Sequence, residues 1–301
     1  MRSIDDRRGL VTKIYTILAS LAVLMMLTAC KSERSNEICH PEQYGLEEWT
    51  VHPELLDNAV SRADAILDPA LKSRLVTTSQ TAEFGEETIL VFDVHGSFVS
   101  DGDVAFIAGG RCVFVNRDWR DQLASLFGQD VTGTLDLEVT DALAIILLHE
   151  VGHIQGGGLP HSQPIATLLA SLGPGKQEEM RADSFAAGQI AAAFNRKWDP
   201  GMAAFRVAQA LSKISWNLQA DRMLNNFGAT SLRLSRVFNE TGYSHPNLEL
   251  RFLVINYLVN PSEPQLDLLT SFLDSRSAPG GILQGNGSLP YSLFSPRAGP
   301  R

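Results

Sequence analysis

Residues 149–153 read His-Glu-Val-Gly-His, and no other stretch of the chain so narrows what it can fold into. Four residues of α-helix advance about 400° and roughly 6 Å, so the two imidazoles stand on one face, one above the other. A tetrahedral metal ion takes two ligands from one rigid element in this way. Glu150 projects about 100° round the helix, too far to be a third ligand but placed to take a proton from a water held at the metal.

The flanking residues predict a buried helix. Thr140-Asp141 offers an N-cap and a first-turn acid, and residues 142–148 (Ala-Leu-Ala-Ile-Ile-Leu-Leu) run apolar straight into His149. Seven apolar residues fall far short of the roughly 18 needed to span a membrane. Gly152 costs a helix about 1 kcal/mol relative to Ala, so a neighbouring element is expected close against it. The bland alternative, a core helix with two incidental histidines, leaves Glu150 as an uncompensated charge beside the core.

A two-histidine site needs another protein ligand, and two candidates stand downstream. Glu179 lies in residues 178–183, Glu-Glu-Met-Arg-Ala-Asp, which open a helix after the Gly173-Pro174-Gly175 break. Glu179 and Asp183 are four apart and share a face, so one can ligate while the other braces a ligand from behind. Alone, these acids would read as a solvated helix start. The second candidate is His161. It arrives two residues after the position of the third metzincin histidine, which Leu159 occupies, and no Met follows in an obvious Met-turn. Gly156-Gly157-Gly158 more simply ends the helix, and Ser162 caps a short one that follows.

With these segments the chain resembles the gluzincin metallopeptidases of the HtpX-like and CAAX-prenyl-endopeptidase family. The likeness rests on His-Glu-Val-Gly-His, on Glu179 with Ala182-Asp183, and on residues 244–252, Ser-His-Pro-Asn-Leu-Glu-Leu-Arg-Phe. A weaker match covers residues 103–110, where Asp103 stands in place of the family's Asn; Phe252 replaces its Ile. The resemblance spans roughly residues 85–260. It implies His149, His153 and Glu179 as ligands of one Zn2+, Glu150 as the base, and Asp183 as the partner of His149. It implies that His245 sits near the metal, stabilising an oxyanion or closing the site as a removable ligand. Read from the residues alone, His245 is the neighbour of a helix N-terminus at Pro246. Arg251 either reaches a carboxylate of the site or faces solvent.

Upstream, residues 88–94 are β-rich, and residues 104–115 predict a hairpin turning at Gly109-Gly110. A strand at a sheet edge beside the metal helix would take an extended peptide by strand addition; an ordinary sheet core is the equal alternative.

At the N-terminus, Arg2, Arg7, Arg8 and Lys13 precede an apolar stretch from Ile14 to Leu27, and Leu27-Thr28-Ala29-Cys30 follows. This pattern predicts a bacterial lipoprotein signal, cut before Cys30 and lipidated on its thiol. Lys31 then favours the periplasmic face of the outer membrane. Arg7-Arg8 also fits a twin-arginine signal. Loss of residues 1–29 removes four basic and two acidic residues, taking the formal charge from −9 to −11. So acidic a body argues against nucleic acid and against a basic membrane-binding face. Cys39 and Cys112 are then the remaining thiols, and they either form a disulfide or leave Cys112 free and buried in its strand.

The expected organisation is a signal peptide (1–29), a lipidated tether (30–45), one metallopeptidase domain (46–274) and a Gly/Pro/Ser-rich disordered tail (275–301). Helices are expected from Pro53 to Leu67, from Asp199 to Phe227, and near 231–239, 246–259 and 263–274. The fold class is α+β and mostly helical, a zincin-like domain with a small sheet beside the metal helix. The function this implies is a zinc-dependent endopeptidase acting on envelope proteins or peptides. The competing classes are a latent, chaperone-like zinc-fold lipoprotein and a metzincin-like peptidase using His161; a solute-binding lipoprotein fits poorly, since two α/β halves are missing.

Overall fold

A strand that is apolar on both sides has to be covered twice, and the strand at residues 88–95 of this protein is. The computed structural model describes residues 39–49, 51–78, 87–95, 104–108, 110–127, 133–156, 174–196, 198–226, 248–267 and 269. Its strands are β1 (Glu47–Glu48), β2 (Arg74–Thr77), β3 (Thr88–His95), β4 (Ala105–Ala108) and β5 (Cys112–Asn116). They form one mixed sheet in the order β1-β3-β5-β4, with β2 also on β3. β2 runs parallel to the first half of β3, from Arg74 opposite Thr88, and β1 antiparallel to its end, Glu47 opposite His95. β5 is parallel to β3 on the other side, and β4 is antiparallel to β5 at the edge.

The period of two sorts β3 between two cores. Ile89 and Val91 join the large cluster shared with the helices, whereas Leu90, Phe92 and Val94 join a second cluster with Leu46, Cys112 and Phe114. That second face is covered by the chain from Cys39 through the short 3-10 turn Pro41–Tyr44. Residues 39–45 of the stretch expected to be a tether are thus part of the described fold. A disulfide joins Cys39 to Cys112, with the Cα atoms 5.8 Å apart, and pins this segment to β5. The hairpin differs from the expected two-residue turn. Ala108 pairs with Cys112, so residues 109–111 form the connection, and Gly110 supplies its left-handed residue at φ +80°.

The helices are α1 (Pro53–Ile66), α2 (Trp119–Phe127), α3 (Leu135–Gln155), α4 (Pro174–Phe194), α5 (Trp198–Asn226) and α6 (Leu248–Val259). α1 starts with Pro53 in its first turn and buries Leu56, Ala59, Val60 and Ala63 at helical spacing. α2 has no counterpart among the sequence expectations, although Trp119, Leu123, Leu126 and Phe127 form a regular buried stripe. α1 and α3 lie against the sheet, and α4, α5 and α6 pack behind them. Mixed α+β architecture, mostly helical with a small sheet, is thus the observed fold class.

α3 begins at Leu135, more than a turn before the start expected at Thr140-Asp141. Thr134 is the N-cap, its hydroxyl donating to Glu138 (3.0 Å), and Asp136 and Glu138 supply the first-turn acids. Thr140 lies inside the helix and donates to the Asp136 carbonyl (2.6 Å). Asp141 is no first-turn acid. It is buried and pairs with Arg62 of α1 and with Arg206 of α5 (3.8 Å), as a charge in an apolar run must.

Two further boundaries bear on the site. α3 ends at Gly156, whose left-handed backbone (φ +68°) caps the helix. α4 starts at Pro174, one turn ahead of the acids expected to open it. Its Met180 packs with Leu250, Leu253 and Val254 of α6. Among the described residues no helix is long and apolar enough to cross a membrane. The expected signal peptide, Cys30, His161, the 231–239 helix, His245 and the 275–301 tail lie outside the described residues, as does Asp103.

Candidate metal centre

The site is built where α3 and α4 cross almost backbone to backbone. Gly152 sits at the crossing: a Cβ there would lie 2.9 Å from the Ala182 Cα, 3.0 Å from its carbonyl oxygen and 3.1 Å from the Phe185 Cβ. Absence of a side chain lets α4 approach within reach of the histidines on either side of Gly152. Glu179 and Asp183 flank Ala182 on α4 and turn onto that face.

There, the three ligand candidates converge. His149 Nε2 lies 2.9 Å from His153 Nε2 and 3.2 Å from Glu179 Oε2, and His153 Nε2 lies 3.4 Å from Glu179 Oε1. Ligands held at about 2.0–2.1 Å by a tetrahedral ion stand about 3.3–3.4 Å apart, so this spacing fits one ion. His149, Glu179 and most of His153 are buried, and together the group can hold a metal ion. Two imidazole nitrogens and a carboxylate are donors suited to zinc.

Behind the candidate ligands stands a line of supports. Asp183, fully buried, accepts from His149 Nδ1 at 2.7 Å, which leaves the Nε2 lone pair facing His153 and Glu179. Arg251 of α6 is buried too, and its Nε donates to the same Asp183 oxygen at 3.3 Å. Of the two readings open to Arg251 from sequence, the structure places it on a carboxylate of the site. Burial disfavours its charge, but the Asp183, Glu179 and Glu150 carboxylates outweigh burial and hold the guanidinium protonated. At His149, burial pulls the pKa down and Arg251 adds to that. The Asp183 and Glu179 carboxylates win, raising it above the ordinary histidine value. A negative field of that kind is one that favours a bound cation.

Glu150 is buried one residue along from His149 and forms no hydrogen bond with any described residue. Burial drives its pKa upward and Glu179 adds to the rise, against the pull of His149, Arg251 and His153. Its carboxylate is thus a stronger base than an exposed one. Edge strand β4 packs against α3, and among the described residues its outer side pairs with no strand.

Two further acids are buried away from the ligand set: Asp141, expected as a first-turn acid, and Asp93, which sequence reasoning passed over. Asp93, on β3, is almost wholly inaccessible to solvent and accepts from the Val51 N–H at 3.4 Å. Burial lifts its pKa to about 7, helped by Asp118 and Glu48. An acid among Leu-Val-Phe and Val is the signal that was available for it. No protein-family model matches this chain, and neither a curated protein nor a solved structure does.

Proposed function

We propose that this chain is a zinc-dependent endopeptidase of zincin-like fold, acting on proteins of the bacterial cell envelope and held there by a lipid on Cys30. One observation carries the reading: His149, His153 and Glu179 converge to within tetrahedral spacing, with Asp183 behind His149 and Glu150 beside them. Zn2+ is the ion the donor set suits, and when bound it lowers the pKa of a coordinated water toward about 7 and polarises a carbonyl oxygen.

The chain's own groups then divide the work. Asp183 orients the His149 ring, and Arg251 holds Asp183 in place. Glu150 takes the proton of the attacking water and hands it to the leaving amine, which its raised basicity favours. β4 offers open backbone hydrogen-bonding groups along which an extended peptide aligns beside α3. His245, by the family resemblance, helps to stabilise the oxyanion.

Burial of the centre favours a second reading, in which the site is latent and the protein binds envelope proteins without cutting them. Zinc content and peptide cleavage of the purified chain separate the two. Glu150→Gln should keep the metal and lose hydrolysis. A Gln variant that cleaves a quenched peptide at the wild-type rate would remove the assigned base; a wild-type chain that holds zinc and cleaves nothing supports the latent reading.

A further inference from the structure

The solvent side of α5 is not polar. Ala204, Val207, Leu211 and Ile214 turn into the core, and positions 198, 202, 205, 209, 212 and 216 are all exposed. Their spacing alternates four and three, which is the seam of a helix that pairs with another helix. Four of the six are large and apolar: Trp198 (79% exposed), Met202 (41%), Phe205 (48%) and Trp216 (69%). At about 200 Å² per ring, the three aromatic residues leave on the order of 400 Å² of apolar surface uncovered. Apolar surface of that extent along one helix face marks an interaction site, and it is about half of what one partner contributes to a standard interface.

We infer that the occupant is a second copy of this chain, whose α5 lies antiparallel along this seam to form a two-fold dimer. The seam is symmetric about Val207, since the pairs 198/216, 202/212 and 205/209 are equally distant from it. Laid antiparallel, Met202 packs over the partner's Ser212 and Phe205 over the partner's Gln209, large on small in both directions, as an isologous contact requires. Trp198 stacks against the partner's Trp216 at each end. Lys213, on one flank, is held by Glu138 of its own chain. Gly201 and Ala208 on the other flank leave room for close approach.

A bilayer fits this face less well. α5 packs behind α1 and α3, whereas Cys39 lies on the outer side of the sheet in front of them. Cys39, the described residue nearest in sequence to Cys30, lies on the sheet side and not on α5. The formal charge, −9 for the whole chain and −11 without residues 1–29, adds repulsion from anionic lipid. The inference is independent of the zinc reading, and a dimer of this area is expected to be concentration-dependent.

Cross-linking in cells tests it on the full chain. Two differently tagged chains, one Met202→Cys and the other Ser212→Cys, both with Cys30→Ser, are co-expressed and treated with a short bismaleimide. Antiparallel pairing predicts a mixed-tag dimer several-fold stronger than when both chains carry Met202→Cys. Adding Phe205→Lys, or separately Trp216→Lys, to both chains should abolish it. A cross-link as strong between two Met202→Cys chains, or one indifferent to both lysines, overturns the proposal. So does a chain that stays uncross-linked while its tryptophan fluorescence shifts on adding phosphatidylethanolamine–phosphatidylglycerol vesicles, a shift lost in Trp198→Phe.

Discussion

Gly152 and Ala182 touch so closely that a methyl group on the glycine would come within 2.9 Å of the Ala182 Cα. This one contact sets the distance between the helix carrying both histidines and the helix carrying Glu179 and Asp183. Gly152→Ala is therefore predicted to push α4 outward, costing about 1–3 kcal/mol of stability as overpacking does. Zinc affinity should fall with it, read by competition against a chelator, because Glu179 retreats from His149 and His153. Unchanged affinity in a folded variant would show that the crossing does not position the ligand.

Asp183 and Glu179 should fail in different ways. Asp183→Asn leaves the ligands in place and removes the charge behind His149, so zinc affinity is predicted to drop about 10–100-fold with stoichiometry intact at saturating metal. Glu179→Gln removes a ligand and should lower the zinc content of the purified protein itself. Full zinc content in the Glu179→Gln protein would move the remaining ligand elsewhere, with His161 the first residue to test.

Asp93 makes stability depend on pH. Its folded pKa, about 7, stands above the ordinary 3.8, so the fold binds the proton more tightly than the unfolded chain does. The stabilisation this contributes is complete below about pH 4 and is lost as pH rises through 7. Asp93→Asn keeps an acceptor for the Val51 N–H and carries no charge. We predict that at pH 8 it is more stable than wild type by on the order of 2 kcal/mol and so melts at a higher temperature, and that the difference shrinks toward pH 4. Thermal melts across that range check the sign, and a gap that widens on acidification contradicts it.

Removing the disulfide should loosen the N-terminal segment from the sheet. Its residues are separated by 73 positions, and a loop of that length is worth about 4 kcal/mol in the chain-entropy account. Cys112→Ala is predicted to lose about 2–4 kcal/mol in urea unfolding, with the metal ligands undisturbed. Zinc binding that fell as far as stability would tie the outer face of the sheet to the centre, against this expectation.

What sequence determined by itself is whatever one helix can settle alone. His149, Glu150, Gly152 and His153 occupy a single stretch of α3, so the helical repeat dictates that the imidazoles align and Glu150 turns aside. The same repeat puts Glu179 and Asp183 on one face of α4, and β3 was legible from its apolar run. Tertiary structure decided everything that needed two elements to meet. It chose the Asp183 side chain as the brace of His149, brought Arg251 onto Asp183 from 68 positions away, and turned Asp141 from a supposed helix start into a buried partner of two arginines. It also left β4, not β3, at the sheet edge beside α3. The physical reason is that periodicity acts along the chain, whereas a contact between helices depends on how closely their backbones pack. Here that closeness is granted by one missing side chain, at Gly152.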